Sequence, residues 1–345
     1  MLSNEMLYQL IYALAAKNGR DRVLFGDCAP QAFEAFRHSN ASSAFPELWF
    51  ELPLLGDPWF DLHALTSRDA LDPNACFDPS TTGGYPETFA WFARQDNVRQ
   101  LALSWDIGSR GANAPAIQLL VNSDDPMTTY GFLEAAGAPE AIEAYRTLRE
   151  RLPRDWYPCY TGVFPTRRWA DSPREARATD DTVPPMHVEC IPSTKTQRAY
   201  ADDITLLEEH LRLVGIEDMN ETLLERCQYL ARTPFALEFQ LEVGTAGRLG
   251  STFGASLRFT FPGDDTEKSY RVDGAAGDLM RQVEAWGLAD ERWRTLEETT
   301  FAKRLSRDDE DLRLYCFPTF IKLRWRDGEP LDAKAYLMAG IQARA

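Results

Sequence analysis

The sequence predicts an α+β protein in which a ten-stranded antiparallel β-barrel, built from five β-hairpins, is surrounded by a ring of α-helices. Two strand-like runs joined by a turn recur five times, helical segments separate these pairs, and the runs alternate apolar with polar residues. Successive side chains of a strand point to opposite faces. Each predicted strand therefore has an apolar face that the helices cover and a polar face.

The five strand pairs follow one another along the chain. They comprise residues 46–52 with 58–65, 99–107 with 114–121, 156–164 with 186–191, 235–243 with 252–261, and 314–325 with 333–339. The connection at residues 326–330 contains Asp327-Gly328, which is a strong hairpin signal between alternating runs. Residues 166–186 interrupt the third pair and are rich in Arg, Asp and Pro, a composition that predicts a mobile excursion.

Helical sequence precedes and separates the strand pairs. The candidate segments are residues 84–95, 138–152, 199–216, 220–231 and 275–305, of which the last predicts two helices, and residues 1–45 predict N-terminal helices. We expect one barrel domain over residues 1–345. Closing ten strands removes exposed edges and leaves a lumen wider than side chains can fill. An open sheet with one solvated face is the alternative.

Composition excludes several classes of function. The chain has 53 acidic and 37 basic residues and a formal net charge of −16, which argues against a nucleic-acid partner and against docking on an anionic membrane. No apolar run approaches the roughly 20 residues that span a bilayer. The six cysteines are scattered without a CxxC pair, which favours a reducing, cytoplasmic location. Glycine-rich nucleotide-binding motifs and the HExxH zinc motif are missing from the sequence.

Basic residues lie on the polar faces of the C-terminal strands. These are Arg258, Lys322, Arg324 and Lys334, accompanied by Tyr336. Arginine and lysine bind phosphate groups through charge-assisted hydrogen bonds. If the polar faces point inward, this set is the best diphosphate site in the sequence. If the faces are solvated, the charges pair with Glu238 and Glu242.

Two histidines lie on polar strand faces beside carboxylates. Asp61-x-His63 and His187-x-Glu189 each place both side chains of a pair on one face, because residues i and i+2 of a strand share a face. If the two strands converge, the four side chains would hold Fe(II), Mn(II) or Zn(II). They would otherwise act as acid–base catalysts, or be ordinary hydrogen-bonded residues.

The aromatic residues divide by strand face. Trp49 shares the polar face with Glu51, where its ring would screen a carbocation through cation–π attraction. Trp105 and Trp325 fall on apolar faces and are expected to face the helices. Cys316 lies in a hydrophobic strand and is expected to be a buried thiol. The alternative for Cys316 is a catalytic role in a five-unit fold that resembles the amidine-processing penteins.

Five antiparallel hairpins inside a ring of helices, with a polar lumen, resemble the aromatic prenyltransferases of the ABBA type, most closely the dimethylallyltryptophan-synthase-like branch. The order of residues 104–108, 115–121 and 131–137 is similar to the second hairpin and following helix of that family. Lys334-x-Tyr336 is similar to its last Lys-x-Tyr strand. The resemblance covers nearly the whole chain as an order of elements.

The resemblance implies transfer of an allylic prenyl group from a diphosphate to an aromatic acceptor, an indole or phenol in a small molecule or a peptide. It assigns the acceptor N–H to Glu51 or Glu47 and matches Lys334 and Arg258 to basic positions that hold the diphosphate. Lys322 and Arg324, on the neighbouring strand, are expected to help neutralise the leaving group. Tyr336 and Trp49 would screen the cation. The catalytic candidates are thus Glu51, Tyr336 and His187. No cofactor is required, and Mg²⁺ is optional because the cations already lie on the protein.

The chain departs from the family pattern in two hairpins. The second carries Gln118-x-Leu120, with Gln118 as the substrate-binding candidate, where the family has Lys-x-Tyr. The third carries His187-x-Glu189 in place of a basic residue and tyrosine. A carboxylate facing a diphosphate costs about 4 kcal/mol per charge pair at about 4 Å and an effective dielectric constant of about 20. The alternative function is a barrel without prenyl transfer that binds or modifies a peptide or cationic ligand, with or without a metal on the two His–carboxylate pairs.

Overall fold

Ten antiparallel strands close into a barrel. The computed structural model describes residues 47–68, 71, 74, 84–105, 115–121, 125–164, 186–244, 249–259, 270–307 and 310–343. Its strands are β1 (Glu47–Pro53), β2 (Asp61–Ser67), β3 (Val98–Trp105), β4 (Ala116–Val121), β5 (Trp156–Val163), β6 (Met186–Pro192), β7 (Ala236–Val243), β8 (Leu249–Arg258), β9 (Phe301–Arg307), β10 (Glu310–Arg326) and β11 (Glu329–Ala343). Strands β1 to β8 pair in sequence order, β8 pairs with β10, β10 with β11, and β11 with β1. The predicted barrel of five hairpins is confirmed.

Strand β9 is an addition to the ring. It pairs with the first half of β10, from Glu310 to Cys316, whereas the second half of β10 pairs with β8. Residues 301–305, predicted to be helical, are therefore strand, and that prediction is wrong. The physical reason is the length of β10, whose 17 residues reach past β8 and leave backbone groups that β9 satisfies.

The last hairpin has the turn that its sequence predicts. Strand β10 ends at Arg326 and β11 begins at Glu329, so two residues make the connection. Asp327 and Gly328 have φ values of 52° and 79°, as a type I′ turn requires. A side chain at Gly328 would also collide with the backbone, because a Cβ would lie 2.4 Å from the Asp218 carbonyl oxygen.

Helices cover the outside of the barrel. They are α1 (Pro86–Phe92), α2 (Pro126–Ala135), α3 (Ala141–Arg151), α4 (Thr194–Asp202), α5 (Ile204–Val214), α6 (Glu221–Ala231), α7 (Ala275–Ala285) and a 3-10 helix at Glu291–Thr299. The segment predicted as one helix over 199–216 is two, because Asp203 adopts extended backbone and caps α5 by accepting from the Thr205 and Leu206 N–H groups. Helix α6 is capped in the same way by Asn220.

The hydrophobic core lies between the barrel wall and the helices. Leu48, Phe50 and Leu52 of β1 are buried there, as expected for alternate residues of one face. The same core contains Trp105 and Trp325, so the prediction that they face the helices is confirmed. It also contains Cys316, among apolar side chains of this barrel, so the pentein alternative is wrong.

Some expectations lie outside the described residues. The predicted N-terminal helices of residues 1–45 belong to this group, as do residues 166–185 of the predicted excursion. Met186, which was assigned to the excursion, is the first residue of β6. In the described part of the chain, no helix has the length and apolar character needed to cross a membrane.

Candidate active site

The polar strand faces point into the barrel, so the predicted solvated face of an open sheet is wrong. All of the sequence-predicted site residues lie on this inner face: Trp49, Glu51, Asp61, His63, Gln118, His187, Glu189, Arg258, Lys322, Arg324, Lys334 and Tyr336. Their sequence neighbours on the opposite face belong to the hydrophobic core. Lys322 and Lys334 are only 6% and 4% exposed, so the lumen holds charges that are largely removed from water.

Glu51 is the centre of one cluster. The β1–β11 register places Tyr336 directly opposite Glu51, and Lys334 lies two residues away on the same face. Lys334 Nζ donates to one oxygen of Glu51 and the Tyr336 hydroxyl donates to the other. Burial alone would raise the pKa of Glu51, but the charges of Lys334 and Lys322 and the contact with His63 hold it well below its usual range. Glu51 is therefore a carboxylate that already accepts two hydrogen bonds.

Lys322 is the fourth member of this cluster. Its Nζ donates to the Tyr336 hydroxyl at 2.7 Å, and within the described residues it forms no ion pair. Burial, together with repulsion from Lys334 and Arg324, lowers the pKa of Lys322. The pKa of Tyr336 is raised well above its ordinary value by burial and by the charge of Glu51. The cluster is thus a hydrogen-bonded chain from Lys322 through Tyr336 to Glu51.

The two arginines are each paired with a carboxylate. Arg258 donates to Glu238 through Nε at 2.7 Å and Nη2 at 3.1 Å, and Glu238 is fully buried. Arg324 forms the equivalent pair with Asp332, with Nε at 2.7 Å. Although burial opposes the charge, these carboxylates raise the pKa of both guanidinium groups. Arg258 thus pairs with Glu238 as one sequence hypothesis proposed, but it does so inside the lumen.

An aromatic cluster divides the cations. Phe320 stacks on Tyr336, with centroids 4.0 Å apart and planes inclined by 18°, and Trp49 meets Phe320 edge-on at 5.4 Å. Phe320 pairs across strands with both Arg258 and Tyr336, so it lies between Arg258 and the Lys322 end of the lumen. The sequence analysis missed Phe320. It precedes Lys322 by two residues, so the same alternation could have identified it.

The predicted metal set does not come together. Asp61 and His63 lie on β2 and His187 and Glu189 on β6, and four strand-to-strand steps separate these strands in the ring. Each pair has other partners. His187 Nε2 lies 3.2 Å from Glu242 and Glu189 accepts from Ser256 at 3.0 Å, whereas His63 Nδ1 lies 2.5 Å from Ser104 Oγ and Asp61 lies 3.9 Å from Lys334 Nζ. No group of three or more His, Cys, Asp or Glu side chains in the described ranges is arranged to hold a metal ion. The four-residue metal site is therefore wrong.

Glu189 has an unusual environment for a carboxylate. It is 7% exposed, and burial together with the nearby charge of Glu238 raises its pKa, although Lys322 and Arg258 oppose this.

Gln118 lies elsewhere on the wall, on β4, opposite Gly162 of β5. A Cβ at Gly162 would lie 3.2 Å from Gln118 Cγ, so glycine lets the Gln118 side chain lie against the strand.

Comparison with solved structures supports the fold. No protein-family model matches the chain, and no curated protein sequence matches it. The chain is similar to the prenyltransferase PriB in its apo form, with a TM-score of 0.53 and 14% identity over 97% of this chain and 96% of that one. It is also similar to a 6-dimethylallyl tryptophan synthase, with a TM-score of 0.50 and 12% identity over 98% and 96% of the two chains.

The closed barrel of ten strands inside a layer of helices is therefore the fold of the aromatic prenyltransferases. At this level of identity, the likeness extends to the fold and not to individual residues. Function has to be argued from the chemistry of the lumen.

Proposed function

We propose that this chain transfers an allylic prenyl group from a diphosphate to an aromatic acceptor, an indole or phenol in a small molecule or a peptide. The observation that carries the proposal is the Glu51 cluster. One carboxylate, two lysines and a tyrosine are hydrogen-bonded to each other inside a closed barrel of the prenyltransferase fold. The combination provides an acceptor for a ring N–H or O–H beside cations suited to a diphosphate.

The reaction begins with cleavage of the allylic C–O bond, whose electron pair leaves with the diphosphate. We assign neutralisation of this leaving group to Lys322, Lys334 and Arg324. The charges of Lys334 and Arg324 lower the pKa of Lys322 by repulsion, which places the three cations in one region of the lumen. Such preorganised cations stabilise charge as it develops. The aromatic ring then attacks the cation, while Glu51 accepts a hydrogen bond from the ring N–H or O–H. Loss of a proton from the attacked carbon restores aromaticity.

The aromatic residues would screen the allylic cation from water. Tyr336 and Trp49 were the sequence candidates for this role, and their contacts with Phe320 add a third ring. Ring faces attract cations by roughly 0.5–2 kcal/mol each. We assign Arg258, on the far side of Phe320, and Gln118, elsewhere on the wall on β4, to contacts with the remainder of the substrates. The sequence candidate His187 would contact the substrate at the β6 wall.

A second candidate function is supported by the charge pairing. Arg258, Arg324 and Lys334 each have a carboxylate partner, and Glu189 is a further buried acid. A lumen with this balance suits a cationic ligand, such as a basic peptide, better than an additional dianion. The barrel would then bind its ligand without prenyl transfer.

Ligand-induced stabilisation distinguishes the two candidates. Dimethylallyl diphosphate and geranyl diphosphate should each raise the Tm if the first candidate is right, and a ligand at about 100 times its Kd adds about 2.7 kcal/mol. Dimethylallyl alcohol and inorganic diphosphate, added separately, are the controls for the two halves of the molecule. An unchanged Tm with both prenyl diphosphates, and no prenylated indole or tryptophan by mass spectrometry, would reject prenyl transfer.

We further propose that transfer needs no cofactor and that Mg²⁺ is optional. The support is the positive charge of Lys322, Lys334 and Arg324 in the lumen, which can replace a metal counter-ion. Product formation should then persist in the presence of a chelator. A cytoplasmic location is part of the same proposal, because the cysteines are scattered and, among the described residues, Cys159, Cys227 and Cys316 are free thiols.

A further inference from the structure

We propose that His63 is the catalytic base that removes the ring proton at the end of prenyl transfer. The inference rests on the proposed function and goes further by naming the proton acceptor. In this step the C–H bond of the attacked ring carbon breaks, and its electron pair returns to the aromatic ring. The proton binds to His63 Nε2, which later releases it to solvent.

His63 is held in a fixed orientation by Ser104. The β2–β3 register places the two residues opposite each other, and Ser104 Oγ lies 2.5 Å from His63 Nδ1. When Nδ1 carries the hydrogen and donates to Ser104, Nε2 presents a lone pair. Within the described residues, Nε2 is buried and has no hydrogen-bond partner. In that tautomer Nε2 is the ring atom that accepts a proton.

The free nitrogen is next to the carboxylate that would orient the acceptor. His63 Nε2 lies 3.4 Å from Glu51 Oε2, close but outside hydrogen-bond geometry. A ring whose N–H or O–H binds Glu51 has its carbon atoms beside His63, and a general base must come within about 3 Å of the proton it removes. Once protonated, Nε2 becomes a donor, and the adjacent Glu51 carboxylate stabilises the imidazolium.

The other carboxylates of the lumen are poorly suited to this step. Glu51 accepts hydrogen bonds from Lys334 and Tyr336, which hold it ionised and lower its basicity. Glu189 accepts from Ser256 on the other side of the ring of strands, and His187 contacts Glu242. Asp61 lies opposite Glu51 as well, but its Oδ2 is 3.9 Å from Lys334 Nζ, so its charge is partly neutralised by the lysine that also binds Glu51. His63 is the remaining group beside Glu51.

The test is the isotope effect in His63→Gln. Full-length wild-type chain and variant receive dimethylallyl diphosphate with indole or L-tryptophan whose ring carbons carry deuterium or hydrogen. In the wild type, cleavage of the bond to the diphosphate is expected to limit the rate, so deuterium should have no effect. In His63→Gln, product formation should fall by about 100-fold, the usual contribution of a general base, and a primary isotope effect should appear. Dimethylallyl alcohol should increase as water captures the cation. His210→Gln, in the helix layer, is the matched control and should match the wild type.

Ser104→Ala tests the same assignment without altering the base. His63 remains but loses the partner of Nδ1, so a smaller fall in rate with a measurable isotope effect is expected. This variant decides the question if His63→Gln does not fold. Wild-type turnover with no isotope effect in either variant would overturn the role of His63 and leave prenyl transfer intact. A wild-type chain that prenylates neither probe would overturn the proposed function and this inference with it.

Discussion

Lys334 and Glu51 form an ion pair across the β1–β11 pairing, in the wall of the barrel and almost out of contact with water. A pair of this kind adds little net stability, because both ions lose their hydration, but removing one partner leaves the other charge buried and uncompensated. The lumen is therefore a network in which a substitution chosen to test function also tests stability.

The first prediction follows from this pair. Glu51→Gln should lower the free energy of unfolding by up to about 3 to 5 kcal/mol, because Lys334 loses its hydrogen-bonded counter-charge and keeps only Asp61, whose Oδ2 lies 3.9 Å from Lys334 Nζ. Urea denaturation of the two chains measures the difference. The double variant Glu51→Gln/Lys334→Met should recover part of the loss. A matched control is Glu143→Gln, which breaks the exposed pair with Arg146 and should cost less than about 1 kcal/mol. Equal losses in the two Gln variants would contradict the network.

The second prediction separates two cations that the sequence grouped together. Lys322→Met removes one hydrogen bond to Tyr336 and leaves no carboxylate unpaired, so it should cost about 1 kcal/mol and abolish stabilisation by dimethylallyl diphosphate. Arg258→Met leaves buried Glu238 without its partner, so it should cost about 3 to 5 kcal/mol yet retain that stabilisation. Differential scanning fluorimetry with and without ligand measures both quantities.

The surface variant Lys195→Met is the control for loss of a lysine. It should change neither the Tm nor the ligand response, because Lys195 is exposed on α4. If Arg258→Met loses the ligand response while Lys322→Met keeps it, the diphosphate lies on the other side of Phe320 and the assignment is wrong.

The fold could be predicted from the sequence because the strand alternation and the turn signals are both strong. Leu48, Phe50 and Leu52 alternate with polar residues, and Asp327-Gly328 permits a single turn geometry. Strand β9 was not readable, since residues 301–305 carry no alternation that marks a strand and their pairing depends on the unusual length of β10. Local sequence does not encode that distant partner.

Only part of the candidate site could be predicted from the sequence. Alternation correctly placed Lys322, Lys334 and Tyr336 on one inner face, because the period of a strand is fixed. It could not give the partners of those side chains. Whether His63 meets His187 or Glu51 depends on strand order and shear around the closed barrel, which are properties of the whole ring. The predicted metal set failed for this reason.

The third prediction concerns the reactivity of buried thiols. Burial raises the pKa of Cys227 and of Cys316 to about 12, so the thiolate that reacts with alkylating reagents is scarce at pH 8. Iodoacetamide treatment of the native chain should leave both residues unmodified, and treatment in denaturant should modify both. Peptide mass spectrometry measures the difference. Labelling of native Cys316 at the denatured rate would contradict its burial.

The same residue gives a functional control. Cys316→Ala should leave the response to prenyl diphosphates unchanged, because the thiol lies in the core between the barrel and the helices and not in the lumen. A loss of response without loss of the folded structure would reopen a role for Cys316 in chemistry.

The fourth prediction is a pH dependence of stability due to Glu189. Burial and the charge of Glu238 raise the pKa of Glu189 in the folded chain above its ordinary value of 4.5. Between these two pKa values the folded state binds more protons than the unfolded state, so the free energy of unfolding falls as pH rises through this window. Glu189→Gln removes the ionisation and keeps an oxygen that accepts from Ser256. The variant should therefore match the wild type near pH 4 and be more stable at pH 7. Urea denaturation at both pH values measures this, and a difference that is constant with pH would show that Glu189 ionises as easily in the lumen as in the unfolded chain.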